Sequence, residues 1–571
     1  MAGTWVRATT LAELGEQGRA RFAHGEKRIA VFRAATGVRA VDDRCPHQGY
    51  SLLQGSVKGD VLTCDWHNWK FDLAAGGACT FGGEDVRSYP VEVRGDEVWL
   101  DVTDPAPDEI SPVLFASLLE AMRKNDVGRI ARDTARLRQV GVPLAEVVRE
   151  GMRYSAPRAE FGWNHSLATL TDCLAMSAAF DRDLAALPVI QGLSQVADIQ
   201  VRRPPRPRAE PVDPVAAYGS VAEALAAFPV LVDEEELDAA EGLLRGLVAY
   251  GAGAEEIRGA LLSAVTDHFL GFGHPMIYTQ KAFELLDVVG WQEADAVLSP
   301  LVPATVLSTR YDKVPYMRRF LRTWQAADLD LAGLLRLQRD VATIDRGYER
   351  AVLDEGPEGA FDALHRALRD GVPVPAIVDA TMRASAERFA RFDIDLDLDD
   401  GKEWGWLDLT HTLTYLAAFR WAWSARPAPD VLRGLFHAVW YVQWTQQFDT
   451  PGPRREPAAF ATDDAGEVLG RIRRRDPEGA VAAVRGYDGP ERALYAAVSQ
   501  AATEDNAVAP IMVAHAVKVS RAAIRESARS GRRDTLVAAA RFLAAPKRER
   551  FVHNATLEAI DFVRGRARDE S

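Results

Sequence analysis

The stretch RCPHQGYSLLQGSVKGDVLTCDWHNWKFD, residues 44–72, decides how the first part of this chain folds. It holds two Cys–His pairs, Cys45-x-His47 and Cys64-x-x-His67, with sixteen residues between His47 and Cys64. Thiolates and imidazoles are common protein ligands of zinc and iron. The stretch therefore predicts a metal site built from two segments that each supply one Cys and one His.

Three interpretations of this donor set are open. A structural zinc ion accepts two thiolates and two imidazoles, but the second pair of a zinc finger lies on a helix, whereas both pairs here lie in strand-rich sequence. Four unrelated residues are hard to reconcile with the mirrored spacing. A [2Fe–2S] cluster in which two thiolates hold one iron and two imidazoles hold the other requires this donor set.

The residues around the pairs resemble one family. The pattern CPHQG…CDWHNWKFDLAAGG, together with Trp5 and the segment VFRAATGVRAVDDRCPH, is similar to Rieske ferredoxins and to the Rieske domains of ring-hydroxylating oxygenases. The resemblance covers residues 4–103. It implies a Rieske [2Fe–2S] cluster with Cys45 and Cys64 on one iron and His47 and His67 on the other.

The remaining details of the motif refine this expectation. Asn68 follows the second histidine, where the family usually has glycine, so we expect a small change in that loop and a retained cluster. Tyr50 and Trp66 stand where Rieske proteins of respiratory complexes have disulfide-bonded cysteines, so the chain resembles the lower-potential ferredoxin type. The other two cysteines, Cys79 and Cys173, are expected to be buried structural residues.

Composition excludes several classes of protein. A chain of 571 residues is too long for one simple core, so we expect two or more domains. A net charge of −14 argues against a nucleic-acid partner, because phosphate binding needs a basic surface. The sequence shows no signal-peptide pattern, no apolar run long enough for a membrane span and no disulfide framework. We therefore expect a cytoplasmic protein without a membrane partner.

The texture of the sequence changes after the first hundred residues. Residues 1–103 alternate apolar and polar residues and predict a small all-β domain, with hairpins at Gly37 and Gly95. Residues 104–112 read as a linker because of their Pro and Asp content. Residues 113–571 carry apolar residues spaced three and four apart, which predicts a large all-α domain. The predicted fold class is therefore multidomain, all-β followed by all-α.

The helical region does not match the iron domain of ring-hydroxylating Rieske oxygenases. That domain binds iron through Asp-x-x-His and a second His that follows closely, and its fold is rich in sheet. Asp408 and His411 have the first spacing, but Leu416 stands where the second His belongs. We therefore expect the chain not to be a standard Rieske oxygenase.

Histidines recur in aromatic or apolar segments of this region. A single His on an apolar helix is usually a hydrogen-bonded core residue, but helix bundles also build metal sites from inward-facing His. Four blocks, GWNHSL, GHPMIY, THTLTYL and AHAVKVSRA, resemble in this order the questin oxidase-like family, helical proteins associated with oxidative ring cleavage of polyketides. The resemblance covers roughly residues 115–560.

This second resemblance implies a catalytic site in the helical region. The matched histidines, expected to converge on one pocket and to bind a second metal, are His165, His274, His411 and His515. Asp408 or Asp267 would add a carboxylate ligand. If no metal is bound there, the histidines and Tyr278 would serve as acid–base groups around a small aromatic or polyketide-like substrate. Asn164 and Lys518 would support the site.

The expected function is that of an oxidoreductase. The Rieske cluster would deliver electrons to an iron centre among these histidines, which would use O2 in a monooxygenase-type or dioxygenase-type reaction. The sequence GAGAEE at 251–256 lacks the third glycine of a dinucleotide fingerprint, so electrons are expected from NAD(P)H through a separate reductase or ferredoxin. His268 is a further candidate ligand, and His365 and His553 are expected at the surface.

Two other functions compete with this one. The helical domain could instead dock a partner oxygenase, and its histidines would then be core residues of an electron-transfer protein. A zinc hydrolase has no support beyond the histidine content, because the chain has no His-Glu-x-x-His motif.

Overall fold

The computed structural model divides the chain into two compact units. The N-terminal unit comprises Met1–Leu118 and Asp126–Gly141, and the helical unit comprises Leu119–Asn125 and Val142–Ser571. The structure describes residues 3–15, 17–181, 184–339, 344–345, 347–398, 405–452, 456–504 and 509–547, and positions 556, 559–560 and 563–564.

The N-terminal unit is built from short antiparallel strands. In the described residues these are β1 (Trp5–Thr10), β2 (Arg19–His24), β3 (Lys27–Ala34), β4 (Gly37–Asp42), β5 (Ser56–Lys58), β6 (Val61–Thr63), β7 (Lys70–Asp72), β8 (Ala78–Phe81), β9 (Ser88–Tyr89), β10 (Val91–Arg94) and β11 (Glu97–Asp101), with one short helix, α1 (Leu11–Leu14). They form three sheets, in the orders β1-β11-β10, β2-β3-β4-β9 and β5-β6-β7-β8.

Strand β3 separates two hydrophobic cores. Its alternate side chains Ala30 and Phe32 lie in a core with Leu62 and Phe71, whereas Ile29 and Val31 belong to a second core. A strand whose two faces are both covered reads as a continuous apolar run, as this one does. The first core contains the two motif cysteines, so the cluster site is anchored in packed protein.

The two predicted hairpins are present. Arg94 pairs with Glu97, which leaves Gly95 and one further residue as a two-residue turn. Ala34 pairs with Gly37 at the other hairpin, and Gly37 therefore closes the turn.

The predicted linker has a different structure. Residues 107–112 are the first part of helix α2 (Pro107–Lys124), and helix α3 (Val127–Gln139) follows it. Composition misled the prediction, because Pro at the first helical position and the acidic residues Asp108 and Glu109 in the first turn are also helix-start signals. The N-terminal unit extends beyond residue 103 and includes α3.

The helical unit confirms the predicted fold class. Its further helices in the described residues are α4 (Leu144–Ser155), α5 (His165–Met176), α6 (Leu187–Gln200), α7 (Pro214–Tyr218), α8 (Val221–Asp233), α9 (Leu237–Tyr250), α10 (Ala254–Asp267), α11 (His274–Val289), α12 (Ala294–Leu298), α13 (Leu301–Val306), α14 (Arg318–Ala327), α15 (Leu331–Arg336), α16 (Gly347–Asp354), α17 (Gly356–Arg369), α18 (Val374–Arg391), α19 (Trp406–Ala425), α20 (Pro429–Trp444), α21 (Ala465–Arg473), α22 (Pro477–Gly486), α23 (Glu491–Ala502), α24 (Pro510–Ser530) and α25 (Asp534–Ala544). Within the described residues, none of these helices combines the length and apolarity that crossing a bilayer requires.

Four of these helices pack in a closed ring. Helix α5 contacts α24, α24 contacts α19, α19 contacts α11, and α11 contacts α5. Helix bundles place metal and substrate sites between facing helices of this kind. Each of the four carries one of the histidines singled out in the sequence.

Candidate metal centres

The two loops of the Cys–His motif have the same backbone structure. In the first loop, Cys45 accepts a hydrogen bond from the N–H four residues ahead at 2.8 Å and donates to the carbonyl five residues ahead at 2.7 Å. In the second loop, Cys64 repeats both bonds, at 2.9 and 2.8 Å. The mirrored spacing of the sequence therefore corresponds to two equivalent turns, one between β4 and β5 and one between β6 and β7.

Each turn needs a left-handed residue four positions after its cysteine. Gly49 has φ 75° in the first loop and Asn68 has φ 63° in the second. Asn adopts this conformation more readily than other residues with a side chain, and its side-chain oxygen accepts a bond from Lys70 Nζ at 3.0 Å. Asn68 therefore forms the same turn that glycine would form at this position.

The four side chains of the motif lie together. Cys45 and Cys64 are buried with their side chains in contact, and the rings of His47 and His67 are 4.4 Å apart between centroids. Trp69 stacks on His47 at 4.9 Å. Among the described residues, Nδ1 of His47 is a buried nitrogen without a hydrogen-bond partner. Two adjacent thiols and two adjacent imidazoles, one with an unused nitrogen, fit a cluster with one thiolate-held and one imidazole-held iron.

Burial shifts the pKa values of the thiol and the imidazole at this site in opposite directions. Burial raises the pKa of the Cys45 thiol to about 11, while backbone N–H groups of His47 and Gln48 donate toward its sulfur. Burial and the neighbouring His67 lower the pKa of His47, which keeps that imidazole neutral. A neutral imidazole is the ligand form of histidine, whereas the Cys45 thiol must lose its proton when a metal binds.

The histidine side of the site faces solvent. His67 is exposed, and Trp66 beside it is 59% exposed, although both cysteines are buried. Tyr50 and Trp66 contact each other at 5.1 Å between ring centroids. This ring contact therefore joins the two cluster loops at the positions where the sequence predicted no disulfide bond.

Arginine side chains of helix α3 contact the first cluster loop and the segment that follows β8. Arg132 donates to the carbonyl oxygen of His47 at 3.2 Å and to the Glu84 carboxylate at 2.9 Å. Arg136 also pairs with Glu84, and Arg129 donates to the carbonyl of Gly83 at 2.8 Å. These three arginines were not predicted from the sequence, although their spacing of i, i+3 and i+7 places them on one helix face.

In the helical unit the four matched histidines converge. Nε2 of His274 lies 3.1 Å from Nε2 of His165 and 2.8 Å from Nε2 of His411. Nε2 of His515 lies 3.3 Å from that of His411. One nitrogen from each of the four lies within 4.8 Å of the others, which is close enough for a single metal ion.

The helices explain how these side chains meet. His165 and His274 are the first residues of α5 and α11, and His411 and His515 are the sixth residues of α19 and α24. Side chains on a helix tilt toward its N-terminus, so the site lies near the N-terminal ends of all four helices. His411 and His515 are buried, whereas His165 and His274 keep part of their surface accessible.

The protons of these imidazoles show why a cation fits. Nδ1 of His515 lies 2.7 Å from the carbonyl of Ile511, and the carbonyl of Gly271 bonds to His274. Because a carbonyl only accepts, these rings carry their protons on Nδ1 and direct Nε2 lone pairs inward. The three close contacts between Nε2 atoms each need one proton to form a hydrogen bond. At most two protons are present, those of His165 and His411, so at least one contact lacks a proton.

A metal ion resolves this arrangement. Imidazole nitrogens about 2.0–2.1 Å from a tetrahedral ion lie roughly 3.3 Å from one another, near the separations found here. Burial lowers the pKa of His411 to about 3 and that of the other three well below the usual value, with Lys518 adding to the effect. Neutral imidazoles are the ligand form of histidine. The donor set fits iron, zinc, copper or nickel.

A constrained turn sets the position of His274. Gly271, Phe272 and Gly273 precede it with φ values of 48°, 57° and 86°. A Cβ on Gly273 would lie 2.2 Å from the ring of Tyr415, so only glycine fits there. A left-handed Phe in a packed segment is costly, and such strain often marks functional positions.

Three further predicted residues lie at this site. The hydroxyl of Tyr278 is 3.2 Å from Nδ1 of His165, and burial raises the pKa of this Tyr. Lys518 lies three residues after His515 on α24 and is 2% exposed. Burial lowers the pKa of Lys518 to about 7. Asn164 caps α5, and its Oδ1 accepts from the N–H groups of the second and third helical residues.

The predicted carboxylate ligands lie outside the histidine group. Asp408 instead accepts from the N–H of Gly405 at 3.0 Å at the start of α19, and burial raises its pKa to about 7. Asp267 pairs with Arg433 at 2.6 Å. Asp408 belongs to the capping box at the start of α19. Asp267 lies with Asp233 and His268 in a separate group that could hold a metal ion, so neither Asp is a ligand of the four-histidine group.

The remaining histidines have other surroundings. His268 bonds to Asp312 at 2.7 Å, apart from the four-histidine group. His437 is fully buried, and neither ring nitrogen has a hydrogen-bond partner among the described residues. His365 is partly exposed, and His553 lies outside the described residues.

The two other cysteines also have different surroundings. Cys173 is buried, as expected. Cys79 is only partly buried because β8 is an edge strand.

Comparison with known proteins identifies the family of the N-terminal domain. The Rieske [2Fe-2S] domain model matches residues 4–90. The 4beta-methylsterol monooxygenase of Methylococcus capsulatus is 38% identical over 108 residues, which are 17% of this chain and 29% of that protein. Oxidoreductase NdmD of Pseudomonas putida is 31% identical over 108 residues, 17% of this chain and 18% of that protein. The ferredoxin component of the alkene monooxygenase system of Xanthobacter autotrophicus is 33% identical over 86 residues, 15% of this chain and 70% of that protein.

The N-terminal unit therefore contains an electron-transfer domain of the iron–sulfur class. The chain belongs to the Rieske [2Fe–2S] family through its residues 4–90, as the motif predicted. The chain spans less than a third of the length of the first two relatives, so the match describes this domain alone.

Proposed function

We propose that this protein is an oxidoreductase in which electrons from the Rieske cluster reduce a metal centre, most simply iron, held by His165, His274, His411 and His515. The convergence of four imidazole nitrogens on one point is the observation that carries this proposal. Because imidazole binds the redox-active metals and the site keeps two partly accessible histidines, we propose that O2 and an organic substrate react there.

The relatives support the redox part of this proposal. The domain resembles parts of a methylsterol monooxygenase and the ferredoxin component of an alkene monooxygenase system. In such a role the chain would receive electrons from NAD(P)H through a separate reductase or ferredoxin. The resemblance of residues 115–560 to questin oxidase-like proteins supplies the substrate class, a small aromatic or polyketide-like molecule.

The residues around the two sites have defined tasks in this scheme. When bound, the cluster supplies transfer of one electron at a time. Cys45 and Cys64 would hold one iron within the core, while His67 exposes the other side to an electron donor. At the helical site, Tyr278 holds His165 in place through Nδ1 and can donate or accept a proton beside the substrate.

Metal counting tests the proposal directly. We expect three irons per chain in anaerobically purified protein and, after dithionite reduction, the rhombic EPR signal of a Rieske cluster. His411→Ala should keep that signal and fall to two irons, and should lose O2 consumption with reductant and substrate. His437→Gln, a buried histidine outside the group, is the matched control and should keep three. A wild-type protein with two irons and no other metal would overturn the proposal.

A second function is favoured by the ferredoxin relative. The chain covers 70% of a protein that is a ferredoxin component, so the Rieske domain could serve a partner oxygenase docked on the helical unit. In that case the four histidines are core residues. His411→Ala would then lower the melting temperature and leave electron transfer to an acceptor unchanged.

A further inference from the structure

The charges around the four histidines are unbalanced. All four candidate ligands are neutral imidazoles, so a divalent ion would keep its full charge in a largely buried place. Lys518 adds a buried amine, whose Nζ has no hydrogen-bond partner among the described residues. A buried charge without a partner is costly, which is why such groups usually have counter-ions.

The nearby carboxylates do not neutralise this site. Asp172 pairs with Lys281 at 2.7 Å, and Glu284 pairs with Lys281 at 3.0 Å and with Arg525. Asp408 is engaged at the start of its helix. The charge of Asp172 acts on Lys518, but among the described residues none of these carboxylates forms an ion pair with the Lys518 amine.

The helices add to the positive potential. The site lies at the first residues of α5 and α11 and near the N-terminal ends of α19 and α24. Helix N-termini carry partial positive charge and bind anions. Three features, the uncharged ligand set, the buried Lys518 amine and the helix ends, thus favour a negatively charged ligand.

We infer that the helical site takes an anionic organic ligand, a carboxylate or phenolate, whose charge pairs with Lys518 while the rest of the molecule lies beside the partly accessible His165 and His274. This inference rests on the proposed function and narrows its substrate class to acids. In the absence of the anion, the buried amine of Lys518 has no hydrogen-bond partner among the described residues. Its replacement by an apolar residue of similar length should therefore not weaken the fold.

Calorimetric titration with benzoate and benzamide tests the inference, because the two molecules differ mainly in charge. The full-length wild type should bind benzoate at least tenfold more tightly than benzamide. Lys518→Met should lose this preference and keep its metal content and melting temperature. Lys313→Met, which removes an exposed lysine of the same unit, should behave as wild type.

The outcomes separate the inference from the proposed function. Protein that holds metal but binds benzoate no better than benzamide, or prefers benzoate equally after Lys518→Met, overturns the anion site alone. Protein without a third metal whose benzoate preference still depends on Lys518 supports the anion site and overturns the metal proposal.

A separate observation concerns the N-terminal unit. The Arg132 guanidinium bonds to the carbonyl of His47 at 3.2 Å and pairs with Glu84, which is 6% exposed. Arg136 also pairs with Glu84, but the structure gives it no bond to His47 among the described residues. We infer that Arg132 is a positioning residue that holds the His47 loop and raises the reduction potential of the cluster, because a cation beside the imidazole-held iron favours the added electron.

An EPR-monitored redox titration at one pH tests this role. Arg132→Gln should lower the midpoint potential and change the g values, and Arg132→Lys should restore part of the potential. Arg136→Gln, which keeps the contact to His47, should stay near wild type. A merely structural role predicts an unchanged potential in Arg132→Gln, and that result would overturn the inference.

Discussion

The two candidate metal centres use the same kinds of side chain on opposite kinds of support. In the N-terminal unit, two equivalent turns between strands carry the ligands, with the cysteines in the core and His67 exposed. In the helical unit, four packed helices carry the ligands, and His411 and His515 are buried. A site that exchanges electrons with a partner needs an exposed edge, whereas a site that performs chemistry benefits from exclusion of water. The difference in burial therefore suits a division between electron entry and reaction.

The largest expected effect separates the two centres completely. Cys64→Ala removes one of two thiolates from the buried iron, so the cluster should be lost, together with its two irons and its rhombic EPR signal. The helical metal should remain, because its ligands all lie in another compact unit. Metal analysis with EPR on the same sample checks this. Simultaneous loss of the helical metal would show that the two centres are not independent.

Removal of the helical metal should be next in size. A ligand at a thousand times its dissociation constant stabilises the folded state by about 4 kcal/mol, so a chelator should lower the melting temperature of the helical unit. The N-terminal unit should melt as before under conditions that retain the cluster. Differential scanning calorimetry measures both, and His411→Ala, which should hold no helical metal, should not respond to the chelator. An equal response in that variant would contradict the prediction.

A backbone substitution at the helical centre should have a smaller effect. Gly273→Ala places a Cβ 2.2 Å from the ring of Tyr415 at a residue with φ 86°. A left-handed residue alone costs about 1–2 kcal/mol of folding stability, so this substitution should cost more and should displace His274. Gly251→Ala is the matched control, since it has φ 92° and nothing within 4 Å of the added Cβ. Urea unfolding and metal content compare the two. Equal costs with full metal retention would show that the turn does not position the ligand.

The two centres also differ in how far the sequence could predict them. The two Cys–His turns were predictable because each is determined by a short local motif, and the role of their Cys and His residues as ligands stays a prediction. The four histidines lie on helices far apart in the chain, so the sequence suggested the set only through a resemblance, and the role of these residues stays a prediction. The contacts of Arg132 and the capping role of Asp408 were missed, because long-range packing determines the first and one helix start determines the second. The prediction of a linker at residues 104–112 was wrong from Pro107 onward, because a helix begins there.

The smallest expected effect tests whether the two cluster turns are equivalent. Gly49 and Asn68 occupy the same left-handed position, and a Cβ on Gly49 would meet nothing within 4 Å. Gly49→Ala and Asn68→Ala should therefore each cost about 1 kcal/mol, while Asn68→Gly should change stability by a few tenths. Loss of the cluster's visible absorbance in increasing urea measures this. A large cost at Asn68→Gly would show that the bond from Lys70, and not the left-handed backbone, makes Asn the residue required there, because glycine keeps the backbone and removes the bond.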